Sequence, residues 1–584
     1  MLVKKMFGCI LITFVIVTNT NAQGFLKAGG QKIVNEKGEN VLLRGIGLGG
    51  WMLQEGYMLG FKNGGQQHVI RQRFGSLINK AQLDEFYDVW LSNHTTKADI
   101  DSLKSWGFNS VRLPMHYNLY TLAADEEPIA GNNTWLTRGF ALTDSLLSWC
   151  KANKMYLILD LHAAPGGQGN DLNISDRDPA KPSLWESEAS QKKTIALWKQ
   201  LATRYVNEPW IGAYDIINEP NFGFDDPAND KNGTSEKNNK PLKQLLIDIT
   251  KAIRTIDNNH IIVIEGNGWG NNYNGILDQG LWDKNLVLSF HKYWNFNDEA
   301  SIKHILDYRE KYNIPVWLGE TGENSNVWFT QAISLFEKNN IGWAWWPLKK
   351  LGVNNPLQIK SNPNYDAVIA YLNGDAKERP GQSVAYSGLL EMALYTNIKT
   401  NMVHRDVVDA MFRQPHDKTA KPFKQHNISS GAIINAVDYD LGPNGVAYLD
   451  NDTADYWTAG KRGIGNRGGV YRNDGVDIFR DSSYYDSYYV GSIEAGEWLQ
   501  YTVHANASGV YTLQLTYSAS GTTGVVDIAN NGKSVAAASL VDSAGKNSWQ
   551  VVEIKKLLLQ KGKNTLRLYF KTGGFNFKQL KFIP

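Results

Sequence analysis

Cysteine is almost absent from this chain of 584 residues, which holds only Cys9 and Cys150. Cys9 lies in an apolar N-terminal run expected to be removed, which leaves Cys150 alone. One thiol excludes an internal disulfide framework and a cysteine-based metal site. Charge of one sign is also missing. Sixty Lys and Arg against 58 Asp and Glu give a net charge of +2. That balance offers no electrostatic footprint for nucleic acid or an anionic membrane. After the N-terminus no run is long and apolar enough to span a bilayer.

The first residues read "MLVKKMFGCILITFVIVTNTNAQG". Lys4 and Lys5 precede an apolar run from Met6 to Val17, and small and polar residues follow it to Ala22. This is the pattern of a secretory signal, too short for a membrane span, with cleavage expected at Ala22–Gln23. A secreted or periplasmic protein, free of the membrane after cleavage and monomeric, is the expectation. Hydrophobic residues make up 42% of the chain, enough for large cores in two or three domains. Cys150, in "LLSWCKANK", is expected on a helix and buried. The 19 Trp, 27 Tyr and 21 Phe suit either such cores or stacking on sugar faces.

From residue 41 short apolar runs alternate with amphipathic segments. The runs are "VLLRGIGLGG" (41–50), "NSVRLPMHY" (109–117), "MYLILDLHAAPG" (155–166), "IGAYDIINEP" (211–220), "HIIVIEGNGW" (260–269), "LVLSFHKYW" (286–294), "PVWLGETG" (315–322) and "IGWAWWPLK" (341–349). Each starts apolar and β-branched, as a strand buried on both faces does, and ends in polar, glycine or aromatic residues. Helical patterns lie between them; "TTKADIDSLKSWG" starts with a threonine cap and stops at Gly107. Eight strands alternating with helices predict an α/β protein with a (β/α)8 TIM barrel, whose chemistry sits at the C-terminal strand ends.

Two of those ends carry glutamate. Glu219 closes the fourth run and Glu320 the seventh, on opposite sides of the barrel mouth. Facing carboxylates suit cleavage of a glycosidic bond: one protonates the leaving oxygen and the other attacks or stabilises the oxocarbenium-like centre. Arg112, His162, Asn218, His291, Tyr293 and Trp346 sit at other strand ends as supporting groups. Each alone reads as readily as a structural residue; the set does not.

With these residues in hand, residues 24–370 resemble glycoside hydrolase family 5. "INEP" is similar to the family's acid/base motif and "LGETG" to its nucleophile strand, which implies Glu219 and Glu320 in those roles. Arg112, His162, Asn218, His291, Tyr293 and Trp346 match positions lining the family's −1 subsite. The resemblance implies retention by double displacement, with no metal or organic cofactor. It also implies that Asn218 meets the sugar 2-hydroxyl, that Tyr293 holds the nucleophile and that Arg112 keeps it deprotonated. "RGIGLGGWMLQEG" and "DLHAAPGGQ" are similar to the exo-1,3-β-glucanase group, which implies that Glu55 binds a terminal glucosyl hydroxyl. The loops "NDLNISDRDPAKPSLW" and "GFDDPANDKNGTSEKNNK" depart from that group. Linkage and exo or endo action therefore stay open: 1,6-glucan, xylan, mannan and cellulose are alternatives, as are transglycosylation and a catalytically silent polysaccharide binder.

After Gly374 "DAKERPGQ" is a polar break, and "SVAYSGLLEMALYTNIKTNMVHRDVVDAMFRQP" reads as helix packed on the barrel. The expected organisation is a signal peptide (1–22), a catalytic domain (23–415), a linker (416–427) and an all-β sandwich of jelly-roll type (428–584). "INAVDYD", "GGVYRNDGVDI", "YYVGSIEAGEWLQYTV" and "GGFNFKQLKF" resemble a family 6 carbohydrate-binding module. By that match Trp549 and Asn576 grip a sugar. Ser492 replaces the family's second aromatic residue, so Tyr471 or Tyr489 stands in. Two first-strand positions that often help hold a structural calcium read Asn435 and Val437, which weakens that expectation.

Overall fold

The structure is a computed structural model that describes residues 24–451, 465–481, 487–521, 523–543, 545 and 548–583. The expected signal segment lies outside the described residues. Eight parallel strands form one sheet: β1 Arg44–Ile46, β2 Ser110–His116, β3 Tyr156–Ala163, β4 Ile211–Asp215, β5 Ile261–Glu265, β6 Leu286–Lys292, β7 Val316–Gly322 and β8 Gly342–Trp346. The hydrogen-bonded order is β1-β8-β7-β6-β5-β4-β3-β2. The sheet closes where Leu48 N–H donates to the Arg112 carbonyl at 3.0 Å. Every residue of β2 to β8 is buried, as parallel strands covered on both faces require. The predicted barrel is the observed one.

Its helices follow from local sequence. Thr96 caps Lys97–Trp106, and Gly107 ends that helix at φ 114°. A Cβ at Gly107 would sit 2.9 Å from the Phe412 ring, so the turn needs glycine on two counts. Cys150 lies buried on the helix Thr137–Ala152, as expected. The stretch read as continuous helix after residue 382 is not one helix. It splits into Gln382–Tyr395 and Arg405–Phe412, with Met402–Val403 as a short strand between. The Thr400 hydroxyl and the Asn401 amide both donate to the Tyr395 carbonyl, at 3.0 and 2.7 Å. Such side-chain bonds compete with helix continuation.

The C-terminal third packs two mostly antiparallel sheets. One runs His426–Ile428, Trp498–Ala505, Gly562–Phe570, Gly524–Asn530, Lys533–Leu540; the other runs Ile478–Arg480, Tyr488–Val490, Phe575–Ile583, Gly509–Ala519, Gln550–Leu559. Burial alternates along Gly562–Phe570, and the inward residues, among them Leu499, Leu513, Leu566 and Phe577, form a core separate from that of the barrel. The first strand opens at His426, two residues inside the segment read as linker.

A buried ion pair ties the barrel to the helices that follow it. Lys349 Nζ lies 2.6 Å from Asp99 Oδ1, with both side chains fully buried, and also donates to the Thr396 carbonyl at 2.9 Å. Asp99→Ala strands that ammonium and should cost about 3–5 kcal/mol, read as a lower urea midpoint at unchanged slope. A loss below about 1 kcal/mol, the value of an exposed pair, would mean that water reaches it.

Candidate active site

The strand β4 ends in a kink. Glu219 sits between Asn218 and Pro220 at φ 42°, a left-handed conformation that is strained for any residue but glycine. Its backbone N–H donates to Glu265 Oε2 at 2.7 Å, which holds the kink and turns the side chain inward. Glu219 Oε1 meets His291 Nδ1 at 2.6 Å. Burial, and next to it the Glu320 charge, outweigh the pull of His291 and leave the Glu219 carboxyl raised to about 7. His291 moves the other way. Burial alone would lower it, but Glu265, Glu320 and Glu219 hold it well above the usual imidazole value.

Glu320 arrives from β7 and is held by two donors. Arg112 Nη1 donates to Oε1 at 2.5 Å and the Tyr293 hydroxyl to Oε2 at 2.9 Å. One oxygen of Glu320 and one of Glu219 lie within 4.8 Å of each other. Arg112 itself is fully buried. Besides Glu320 it lies 3.2 Å from Asp160, 2.8 Å from Asp215 and 3.2 Å from Glu265.

His162 and Asn218 complete a directed chain of bonds. His162 Nδ1 lies 2.8 Å from Asp160 Oδ2, which makes it the donor, so Nε2 accepts from Asn218 Nδ2 at 3.3 Å. Asn218 Oδ1 in turn accepts from Arg112 at 2.8 Å. Burial lowers His162 to about 3, so the ring is neutral. It stacks on Trp346 at 5.1 Å with the planes 4° apart. Both ends of the Asn218 amide are thus engaged and the residue is fully buried.

Over these groups lies a cleft of about 710 Å³, lined by Glu55, His162, Glu219, Tyr293, Glu320 and Trp346 among others. Burial, and then the charges of Glu320, Glu323 and Glu219, push the Glu55 carboxyl well above the usual range. Trp346 Nε1 donates to the Tyr57 hydroxyl at 3.1 Å. Five acids at the site were not singled out from sequence: Asp160, Asp171, Asp215, Glu265 and Glu323. "HIIVIEGNGW" ends in an acid just as "INEP" and "LGETG" do, so the strand-end rule that found Glu219 points equally to Glu265. Trp269 also lines the cleft, at φ 57°.

In the sandwich Tyr489 is the ring beside Trp549, at 5.3 Å and 67°. Tyr471 lies elsewhere, its hydroxyl bonded to Asp438 at 2.5 Å. Asn576 sits on the neighbouring strand, bonded to Ser518 at 3.2 Å. The three residues therefore converge, but the rings stand edge to face instead of parallel about a sugar-wide gap. Lys578 Nζ lies 5.0 Å from the Trp549 ring. The calcium expectation fails on its donors: Val437 belongs to the apolar core, and the Asn435 amide is turned to Asp438 at 3.2 Å. These residues do not fit a calcium ion.

Residues 72–352 match the model of the cellulases, glycosyl hydrolase family 5, and residues 470–584 that of the family 6 carbohydrate binding module. A beta-xylosidase of Phanerodontia chrysosporium is 27% identical over 375 residues, 58% of this chain and 74% of its own. Endoglucanase C of Acetivibrio thermocellus is 24% identical over 369 residues, 53% of this chain and 91% of its own. A glucan 1,3-beta-glucosidase of Candida oleophila is 26% identical over 291 residues, 46% of this chain and 62% of its own. Among solved structures, the rutinosidase of Aspergillus niger aligns with a TM-score of 0.42 and 18% identity over 53% of this chain and 90% of that one. The chain is a glycoside hydrolase in which a barrel segment matching glycosyl hydrolase family 5 and a C-terminal segment matching the family 6 carbohydrate binding module share one polypeptide.

Proposed function

We propose that the enzyme hydrolyses β-glucan, with β-1,3-linked glucan as the leading substrate, by a retaining double displacement. The observation that supports the mechanism is that one carboxylate oxygen of Glu219 and one of Glu320 come within 4.8 Å of each other. Retaining enzymes hold them about 5–5.5 Å apart, whereas inverting enzymes need about 6.5–9.5 Å for a water between. Glu219 is the acid/base: raised to about 7, it keeps a proton on a sizeable share of the molecules at neutral pH and on most of them below it. Glu320 is the nucleophile, oriented by Arg112 and Tyr293. It attacks the anomeric carbon as Glu219 protonates the departing oxygen. Glu219 then takes a proton from a water whose oxygen bonds to the anomeric carbon, and the bond from that carbon to Glu320 breaks, freeing the sugar and restoring the Glu320 carboxylate.

The substrate reading rests on the first-strand likeness to exo-1,3-β-glucanases and on Glu55. Its carboxyl lines the cleft, and burial raises it, which favours the proton it would donate to a sugar hydroxyl. The relatives' names cover xylosidase, endoglucanase and glucan 1,3-glucosidase activities, so product analysis decides among them. The sandwich is taken to hold the enzyme on polysaccharide through Trp549, with secretion directed by the N-terminal segment.

Glu320→Ala should abolish turnover while the protein stays folded; activity at the unaltered level would overturn the nucleophile assignment. Glu219→Ala should slow natural glycans by roughly 10²–10⁴-fold and spare the first step for aryl glycosides with good leaving groups. Equal losses on both would remove Glu219 from the acid role. The proton on Glu219 is lost as pH rises through about 7. Accordingly kcat/KM should fall above that pH, by about tenfold per unit, and Glu219→Ala should lack this limb on activated substrates. On a panel of β-1,3-, β-1,6- and mixed-linkage glucan, xylan and mannan, glucose from β-1,3-glucan alone is the expected product. A ladder of oligomers, or activity only on another polymer, would reassign the substrate.

A further inference from the structure

The loop after β7 follows Glu320 closely, leads into the helix Asn326–Lys338 and is bonded to the other domain on the way. Gly322 stands at φ 140°, where a Cβ would lie 2.4 Å from the Trp346 carbonyl oxygen. Glu323 follows at φ 51°, left-handed without being glycine, and its carboxylate lines the cleft and pairs with Lys350. A conformation of this kind costs of order 1–3 kcal/mol and persists only where the surroundings over-determine it. The barrel supplies one restraint: Asn324 Nδ2 donates to the Tyr293 carbonyl at 3.2 Å. Others come from the sandwich. Asn473 Nδ2 donates to the Asn324 carbonyl at 2.8 Å, and Asn326 N–H donates to the Asn473 carbonyl at 3.0 Å. Asn326 Nδ2 reaches Asp474 Oδ1 at 2.9 Å and Asp406 Oδ2 at 2.8 Å, and Asp406 Oδ2 also accepts from Asn473 N–H at 2.7 Å.

Every one of these groups is buried: Asn324 and Asn473 are fully enclosed, and Asn326, Asp406 and Asp474 are at most 2% exposed. Buried amides and carboxylates bonded to one another favour one arrangement, because each broken bond leaves a further polar group without water, beside Asn473 Oδ1 and Asp406 Oδ1, which have no hydrogen-bond partner among the described residues. From Asn473 the path to the reacting carboxylate is short. It runs through Asn324 to the Tyr293 backbone, and the Tyr293 hydroxyl donates to Glu320 Oε2 at 2.9 Å.

We infer that Asn473, a residue of the carbohydrate-binding domain, is a positioning residue for catalysis in the barrel: it holds the loop that sets Tyr293 and Glu320. The module is then part of the catalytic machinery even for substrates too short to touch its own sugar site. The inference rests on Glu320 as the attacking group.

The test uses the full chain and a short aryl glycoside that the unaltered enzyme turns over, with the folded fraction taken from near-ultraviolet circular dichroism. Asn473→Ala should lower kcat per folded molecule by roughly 10–100-fold, the scale of a small misplacement of reacting groups, with KM unchanged. Should that variant not accumulate, Asn473→Ser keeps the backbone bonds and removes the amide's bond to Asn324, and should show the same split. An unchanged kcat with only a lowered unfolding midpoint overturns the proposal, since a merely structural joint would do that. Glu320→Ala, assayed beside it, separates the two readings: activity kept there overturns the nucleophile assignment and this inference with it, whereas activity lost there and unchanged kcat in Asn473→Ala overturns the inference alone.

Discussion

One buried cation organises the barrel. Arg112 faces Asp160, Asp215, Glu265 and Glu320 within 3.2 Å, with no exposure of its own. A single guanidinium cannot balance four ionised carboxylates in a dry interior. The result is a graded set of protonation states. Burial pushes Asp160 and Asp215 well above the usual range, while the His291 and Arg112 charges overcome burial at Glu265 and lower it. The residues come from six successive strands, β2 to β7, so the network joins the strand ends that form the floor of the cleft. Removing Arg112 would leave several buried acids uncompensated at once. Fold and site are therefore one electrostatic problem here, not a scaffold with a site added.

The same network divides the labour between Glu219 and Glu320. Both are nearly buried, and their oxygens are close enough to repel. Glu320 has a guanidinium and a phenol bonded to its two oxygens. Glu219 has only a shared proton with His291. Chemically identical side chains thus stand in opposite environments, one facing a permanent cation and the other a titratable one, which suits the proposed division into nucleophile and acid. The strained backbone at Glu219 belongs to this design: without the φ of 42° the chain would carry the acid along the strand direction, and the Glu265 carboxylate that accepts its N–H keeps the turn.

Much of this was legible in the sequence, because burial on both faces forces parallel barrel strands into recognisable apolar runs. Their polar tails then mark the mouth. Glu219, Glu320, Arg112, His162, His291, Tyr293 and Trp346 all emerge from that one rule. What stayed hidden depends on pairing across strands. Asp160 and Asp215 look like ordinary strand residues until Arg112 is placed beside them. Asn218 carries the expected amide, yet its direction is set by His162 and Arg112 and not by its motif. The helix break after Tyr395 turned on two side chains bonding one carbonyl, a contest that periodicity does not register. In the sandwich, Tyr489 and Tyr471 were equivalent by sequence and are separated only by which strand faces Trp549.

The joint between the domains has the opposite character to a tether. A flexible linker would raise the local concentration of substrate and leave the catalytic unit independent. Here the contact is made of buried asparagine and aspartate side chains bonded to one another across the joint. Arg472 adds to it, stacked 3.6 Å over Tyr439 and bonded to Asp474 at 2.7 Å. Apolar patches tolerate sliding; buried amides do not, because every displaced donor loses its acceptor with no water to replace it. The sandwich side of the joint is rigid because Arg472 and Tyr439 are packed in its own core, and the barrel side is the loop that leaves the nucleophile. Loops at a barrel mouth carry specificity but have few partners of their own. A neighbouring domain that supplies those partners constrains the loop more tightly than the loop sequence could, and it makes the geometry of the reacting carboxylate a property of the whole chain.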